Sequence, residues 1–215
     1  MARLKSFFDH LPRILIAMLF VLPLFWMVVA SLRQPGLTPP KSVEWWPTAP
    51  IWRNYLELFR IIPMARYIVN SIVVVAIAVP VTMLTASAAG FALSQLTDPT
   101  QRRLLTFGIL LLMIPGASVW LFRYQILRWL HLIDSLWALV IPALAGGNPL
   151  YVLIYYWTFR RLSGQIFEAA RLDGAGAVTN WWQIAIPLSR PTTAAVILLA
   201  FSTFWSDFIS PLLYI

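Results

Sequence analysis

The sequence predicts an all-α fold, a polytopic bundle of transmembrane helices. Of its 215 residues, 60% are hydrophobic and only 11% charged. The mean hydropathy is +0.76, where a soluble domain sits near or below zero. Five apolar runs each reach the roughly 20 residues that an α-helix needs to cross a hydrocarbon core about 30 Å thick. None alternates with the period of a barrel strand, and unpaired backbone groups are too costly in lipid to allow another spanning architecture.

The first run, Ile14 to Leu32, follows a basic segment, residues 1–13, that carries Arg3, Lys5 and Arg13. Val28 and Ala30 imitate a signal-peptide cleavage site, but the run is longer than the usual signal core and reads as a spanning helix. Between Arg33 and Arg66 come Pro35, Pro39, Pro40, Pro47 and Pro50 with Trp45, Trp46 and Trp52, the composition of an ordered loop lying near a membrane surface. The second span runs from about Tyr67 to Leu93. Its stretch from Thr85 to Gly90 is small-residued, which suits close helix–helix packing. The third covers Leu104 to Phe122 and is broken at Met113-Ile114-Pro115-Gly116; the fourth covers Leu136 to Trp157 and is interrupted by Gly146, Gly147, Asn148 and Pro149. A polar stretch from Thr158 to Arg190, too long for a turn, leads to the fifth span, Pro191 to Tyr214.

Charge orients the bundle and removes several function classes. The net charge is +8, yet the basic residues are scattered between apolar runs and form no stripe that could track phosphates, so nucleic acid is not an expected partner. An N-terminus in the cytoplasm puts nine basic residues inside and seven outside, and the dense positive charge before the first helix favours the same topology. With no cysteine, thiolate chemistry and cysteine-based metal sites are excluded; His10 and His131 lack carboxylates at ligand spacing, so no metal and no cofactor is expected. The only lysines, Lys5 and Lys41, are not preceded by glycine, so the chain has no Walker phosphate loop and any ATP must be hydrolysed elsewhere. His131, Asp134 and Ser135 sit at helical spacing, but no supporting catalytic pattern accompanies them. No catalytic residue is assigned.

The polar stretch carries the most specific pattern. Glu168-Ala169-Ala170 is followed after three residues by Gly174, and after nine more by Ile184, one residue, Ile186 and Pro187. Ser163 is placed to cap a short helix from Gly164 to Leu172, Gly174 to end it in the left-handed conformation, and Val178 to Ile184 to begin a second helix. Small Ala169 and Ala170 would let a partner's groove approach, Ile166 and Phe167 offer apolar anchors, and Glu168 offers a charge.

This spacing resembles the cytoplasmic Glu-Ala-Ala loop of permease subunits in binding-protein-dependent ABC importers, with Ile186 where the pattern has Leu. Asn70-Ser71, Met113 to Gly116, Phe204-Trp205-Ser206-Asp207-Phe208, Pro211-Leu212 and Pro187 to Pro191 look like the maltose-type carbohydrate branch. The run Trp120 to Tyr124 departs from it. The resemblance implies a permease domain over residues 14–215 with an ATPase-docking loop at 159–190, in which Glu168, Ala169, Ala170, Asp173, Gly174, Ile184 and Pro187 take part. It implies two copies of an ATP-binding subunit, a second permease subunit and an extracytoplasmic solute-binding protein. The setting is the lipid of a bacterial cytoplasmic membrane. The solute would be a sugar or oligosaccharide, with another solute such as glycerol phosphate as the alternative. Permeases of this type have a sixth spanning helix; the sequence stops at Ile215, so the domain is incomplete relative to that pattern.

Three residues are candidates for the pathway or its gating. Asp207 is the only acid inside a predicted span, where charge is expensive unless paired or functional. Asn148 and Pro115 lie where helices four and three are broken. A packing kink or a structural hydrogen bond is the competing reading for each. An ion-driven secondary transporter would call for several intramembrane carboxylates or an internal repeat, and neither is evident.

Overall fold

The computed structural model describes residues 2–36, 38, 45–96 and 98–215; Pro39, Pro40 and Lys41, and the side chains of Arg3, Lys5, His10 and Arg13, lie outside that description. Among the described residues the regular structure is helical throughout. Three stretches, Ile14–Ser31, Met64–Gln95 and Trp137–Arg160, are each long and apolar enough to cross a membrane. The number is five if two sharply bent helix pairs each count as one span.

The chain divides into two compact units, residues 1–67 and 68–215. In the first, α1 (Ala2–Ser31) is followed by the short α2 (Arg53–Ile61). Asn54 ties the two together, its Nδ2 donating to the carbonyls of Ser31 at 2.9 Å and Arg33 at 2.8 Å. The Tyr55 hydroxyl lies 2.6 Å from Ser31 Oγ. These bonds satisfy carbonyls that the end of α1 leaves without helical partners. Arg53, Asn54, Glu57 and Arg60 fall on one face of α2, with an Arg53–Glu57 ion pair at 3.0 Å, while Trp52, Tyr55, Leu56 and Phe59 form an exposed apolar face.

The second unit starts within α3 (Met64–Gln95). The third predicted span is not one straight helix: α4 (Asp98–Leu112) and α5 (Gly116–Trp129) meet at 99°. Pro115 lacks an amide proton and keeps Ile114 out of helical conformation, so the chain turns there instead of merely kinking. The fourth span comprises α6 (Trp137–Leu144) and α7 (Pro149–Arg160). They are separated by Gly146 and Gly147, both left-handed at φ +82° and +70°. Asn148 Oδ1 caps α7 by accepting from the Leu150 amide at 2.9 Å, and Pro149 fills the first helical position, where no amide is needed. Thr85 Oγ1 of α3 reaches the Ala143 carbonyl at 2.7 Å, supplying a donor where the break disrupts the ladder.

Next come α8 (Gly164–Leu172), α9 (Ala177–Leu188), α10 (Arg190–Trp205) and α11 (Ile209–Tyr214). The predicted fifth span is broken at residues 206–208, and α9 meets α10 at 87°. His131 and Asp134 are not helical but left-handed, at φ +56° and +60°, in the turn after α5, where the Asp134 amide donates to the Tyr214 carbonyl at 2.8 Å. The His131, Asp134, Ser135 spacing is therefore a structural turn.

The core of this unit joins α3, α7, α8, α9 and α10 through Phe91, Tyr155, Phe159, Phe167, Ala185 and Val196. Among lipid tails there is little hydrophobic drive between helices, so close approach decides packing. A Cβ on Gly90 would lie 2.6 Å from Tyr155 Cβ and 2.9 Å from the Val152 carbonyl oxygen, so α3 touches α7 at a distance that only glycine permits. The small-residue stretch of the second span is thus a helix–helix interface.

Candidate functional site

The helix α8 occupies the residues that the sequence predicts, but its ends are secured differently. Ser163 precedes it in extended conformation and makes no side-chain capping bond. The C-terminal end closes as expected on Gly174, at φ +87°. The Gly174 amide donates to the Arg171 carbonyl at 3.0 Å and the Ala175 amide to the Ala170 carbonyl at 2.8 Å, the paired bonds of a Schellman motif. Beyond the turn, the second helix is longer than Val178 to Ile184 and is wound with π-type bonds over Asn180–Ala185, just ahead of Pro187, which has no amide to donate.

Two faces of this loop have opposite characters. Glu168, Ala169, Asp173 and Gly174 are exposed, Ala170 and Ile184 are half-buried, and Pro187 is exposed. Phe167 is not an anchor for a partner, because it is buried within the chain with its ring 5.7 Å from that of Phe91, edge to face. Ile166 remains exposed. Leu172, which the sequence reading passed over, is 90% exposed one helical turn beyond Glu168 and on the same face.

The buried face is held by one stripe of α3. Ser87, Phe91 and Gln95 are spaced four residues apart and so line one side of that helix. Ser87 Oγ accepts from Trp181 Nε1 of α9 at 3.3 Å, Phe91 meets Phe167 of α8, and Gln95 Oε1 accepts from Arg171 Nη2 at 3.0 Å. Phe91 in turn packs edge to face on Phe159 of α7 at 5.7 Å. The loop is therefore fastened to α3 at three levels, and α3 in turn to α7.

A cavity of about 210 Å³ with a mixed polar and apolar lining lies between α5, α6, α7, α10 and α11. It brings Asn148 and Asp207 together with Arg123, Tyr151, Thr203 and Ser210; Pro115 is exposed and does not line it. Asp207 is not inside a helix as predicted. It sits in the break after α10, where its Oδ1 accepts from the Ser210 amide at 3.0 Å and caps the start of α11. Its structural role is visible, and one carboxylate oxygen is left over.

Curated relatives align over nearly the whole chain. A sulfoquinovosyl glycerol transport system permease from Agrobacterium fabrum is 26% identical over 211 residues, covering 96% of this chain and 74% of the relative. A diacetylchitobiose uptake system permease from Streptomyces coelicolor is 27% identical over 214 residues, covering 94% and 67%. No family model matches the chain. The crystal structure of a bacterial ABC transporter that imports the polysaccharide alginate aligns with a TM-score of 0.74 at 19% identity, covering 96% of this chain and 74% of that one, and so shares its fold. Over nearly its whole length the chain is similar to permeases of ABC importers.

In this permease, α7 and α10 carry both features, at opposite ends. The cavity is lined by Asn148 and Tyr151 at the start of α7 and by Thr203 and Phe204 at the end of α10, whereas the 161–189 loop joins the end of α7 to the start of α10. α10 alone has 16 residues, about 24 Å at 1.5 Å per residue. The loop and the cavity thus lie at opposite ends of α7 and α10, with the 87° bend between α9 and α10 at the loop's end. The permease is a multi-pass membrane protein and a transport subunit.

Proposed function

We propose that this permease moves a sugar or oligosaccharide across the bacterial cytoplasmic membrane. In this reading the exposed face of α8, carrying Glu168, Ala169, Asp173 and Gly174, docks onto separate ATP-hydrolysing subunits. Two copies of these, a second permease subunit and an extracytoplasmic solute-binding protein complete the importer, and the N-terminus lies in the cytoplasm. Ile184 and Pro187 shape the far side of the same loop. The observation that carries the proposal is the two-faced α8: a charged, exposed side free to meet a partner, and a buried side locked by Phe167, Arg171 and neighbouring Trp181 to the Ser87, Phe91, Gln95 stripe of α3. Force applied by nucleotide-driven closure of the partner passes into α3, α7 and α10, and the bundle switches between its inward- and outward-facing states. With the N-terminus inside, α2 lies on the outer surface, its Trp52, Leu56 and Phe59 face resting in the lipid interface.

The test is assembly followed by transport. The chain is co-expressed with candidate ATPase, permease and binding-protein subunits, purified, and reconstituted into vesicles. ATP-dependent uptake of labelled sugars that is lost on substituting Glu168 or Gly174 supports the reading. Undiminished ATPase association and uptake in both variants would refute it. Uptake of glycerol phosphate in preference to sugars would move the solute to the alternative class and leave the importer mechanism standing.

A further inference from the structure

We propose that the cavity between α5, α6, α7, α10 and α11 is a solute-contact site belonging to this chain, fitted to a neutral, hydroxyl-rich ring such as one sugar residue. The proposal rests on the importer reading above and adds to it a site and the electrical character of the solute. The volume of about 210 Å³ lies below the ~300–1,000 Å³ typical of pockets for drug-sized ligands, which suits a single small ring.

The charges in the wall balance. Arg123 and Asp207 contribute one of each sign, and both lie within electrostatic reach of the Tyr214 hydroxyl. An anionic solute would meet the remaining Asp207 oxygen and a cationic one would meet Arg123, whereas a polyol can satisfy both without leaving either uncompensated.

The hydrogen-bond inventory fits the same ligand. Thr203 donates its proton to the Leu199 carbonyl at 2.9 Å, so in the 2.8 Å contact between Tyr151 and Thr203 the tyrosine is the donor, and its oxygen keeps a free lone pair. Asn148 uses Oδ1 to cap α7, which leaves its amide protons as donors facing no partner among the described residues. Asp207 Oδ2 and the Ser210 hydroxyl likewise have none. The wall therefore offers both donors and acceptors together with the apolar side chains of Phe204, Leu139 and Pro142, the mixture that a pyranose with its polar rim and apolar faces requires.

The experiment is saturation-transfer NMR on the assembled importer in nanodiscs, without its binding protein. The probes are the methyl glycosides of glucose, galactose and N-acetylglucosamine and the corresponding 6-phosphates. The wild type should favour at least one neutral glycoside over its phosphate by tenfold or more. Tyr151→Phe should weaken that glycoside by about 3- to 10-fold, the loss of one neutral hydrogen bond. Asp207→Asn keeps the Oδ1 acceptor that caps α11, yet should shift the ratio toward the phosphate by about tenfold; a purely structural residue would weaken both probes alike. Glycoside binding that is unchanged in both variants overturns the site while leaving the importer reading intact. Preference for the phosphates in the wild type overturns the neutral ligand class, and binding of neither set overturns the site, with the importer reading judged separately by its uptake assay.

Discussion

Phe167→Ala should separate ATP hydrolysis from transport. Phe167 is 4% exposed and sits in the aromatic chain that runs from α8 through Phe91 to Phe159 of α7. Because it lies in the loop beyond the end of α7, its burial carries the hydrophobic drive of a soluble core. Truncating a buried Phe to Ala costs about 3–5 kcal/mol, of which about 0.5–1.5 kcal/mol is the edge-to-face contact. The nine residues of α8 are far too few to hold a helix in water unaided, so its position depends on these attachments. What remains is the Arg171–Gln95 hydrogen bond from α8, an exposed contact contributing about 1 kcal/mol, and the 3.3 Å Trp181–Ser87 bond from neighbouring α9. The loop should therefore still meet an ATPase through its exposed face but transmit little. In vesicles containing the complete importer and its binding protein, we expect solute transported per ATP hydrolysed to fall at least tenfold while the ATPase still co-purifies. Ile166→Ala, on the exposed face, leaves the aromatic chain intact and should retain the wild-type ratio. If Phe167→Ala hydrolyses ATP and transports with the wild-type ratio, force does not travel through this contact and the reasoning is refuted.

Three further outcomes follow from the geometry. Gly174→Ala places an L-residue at φ +87° with no neighbour within 4 Å, so backbone strain alone, about 1–2 kcal/mol, should loosen the end of α8 and weaken ATPase pull-down; Gly164→Ala, equally open and without a positive φ, should not. Gly90→Ala forces its Cβ to within 2.6 Å of Tyr155 and should lower the thermal stability of the detergent-purified chain by about 1–3 kcal/mol, read as a fall in melting temperature, while Gly116→Ala, with open space around it, should change little. Phe59→Glu places a charge on the apolar face of α2 and should reduce quenching of Trp52 fluorescence by brominated lipids in a chain stripped of its other tryptophans; unaltered quenching would mean that this face does not rest in lipid.

Legibility in the sequence followed the range of the interactions involved. The bounds of α8 and the left-handed Gly174 were readable because a Schellman closure is made by bonds five residues apart or fewer. Composition was equally reliable for the apolar runs, since it reports length against membrane thickness. It carries no direction, which is why the break at Pro115 is legible but its 99° angle is not, and why the break at Ser206 to Phe208 is hidden within an apolar run. Phe167 was assigned to a partner because an apolar residue in a polar loop has two possible destinations, and only its distance from Phe91, 76 positions away, decides between them. The cavity was half legible. Asn148 and Asp207 stood out as a helix break and an acid in an apolar run, but Arg123, Tyr151 and Thr203 join them only through the packing of three separate segments. One signal was available in retrospect: Thr203 precedes Asp207 by one helical turn, and Tyr151 follows Asn148 by three residues.

The central claim, that the Glu168 face of α8 meets an ATP-hydrolysing subunit, can be tested directly because the chain contains no cysteine. Glu168→Cys supplies a unique thiol that can be joined by a short bifunctional reagent to single cysteines introduced on the surface of the ATPase in the assembled, transport-active complex. The account predicts a cross-linked permease–ATPase product from Glu168→Cys and none from Trp52→Cys, which immediately precedes α2. A complex that transports normally yet yields no product from Glu168→Cys, or yields one from Trp52→Cys instead, would contradict it.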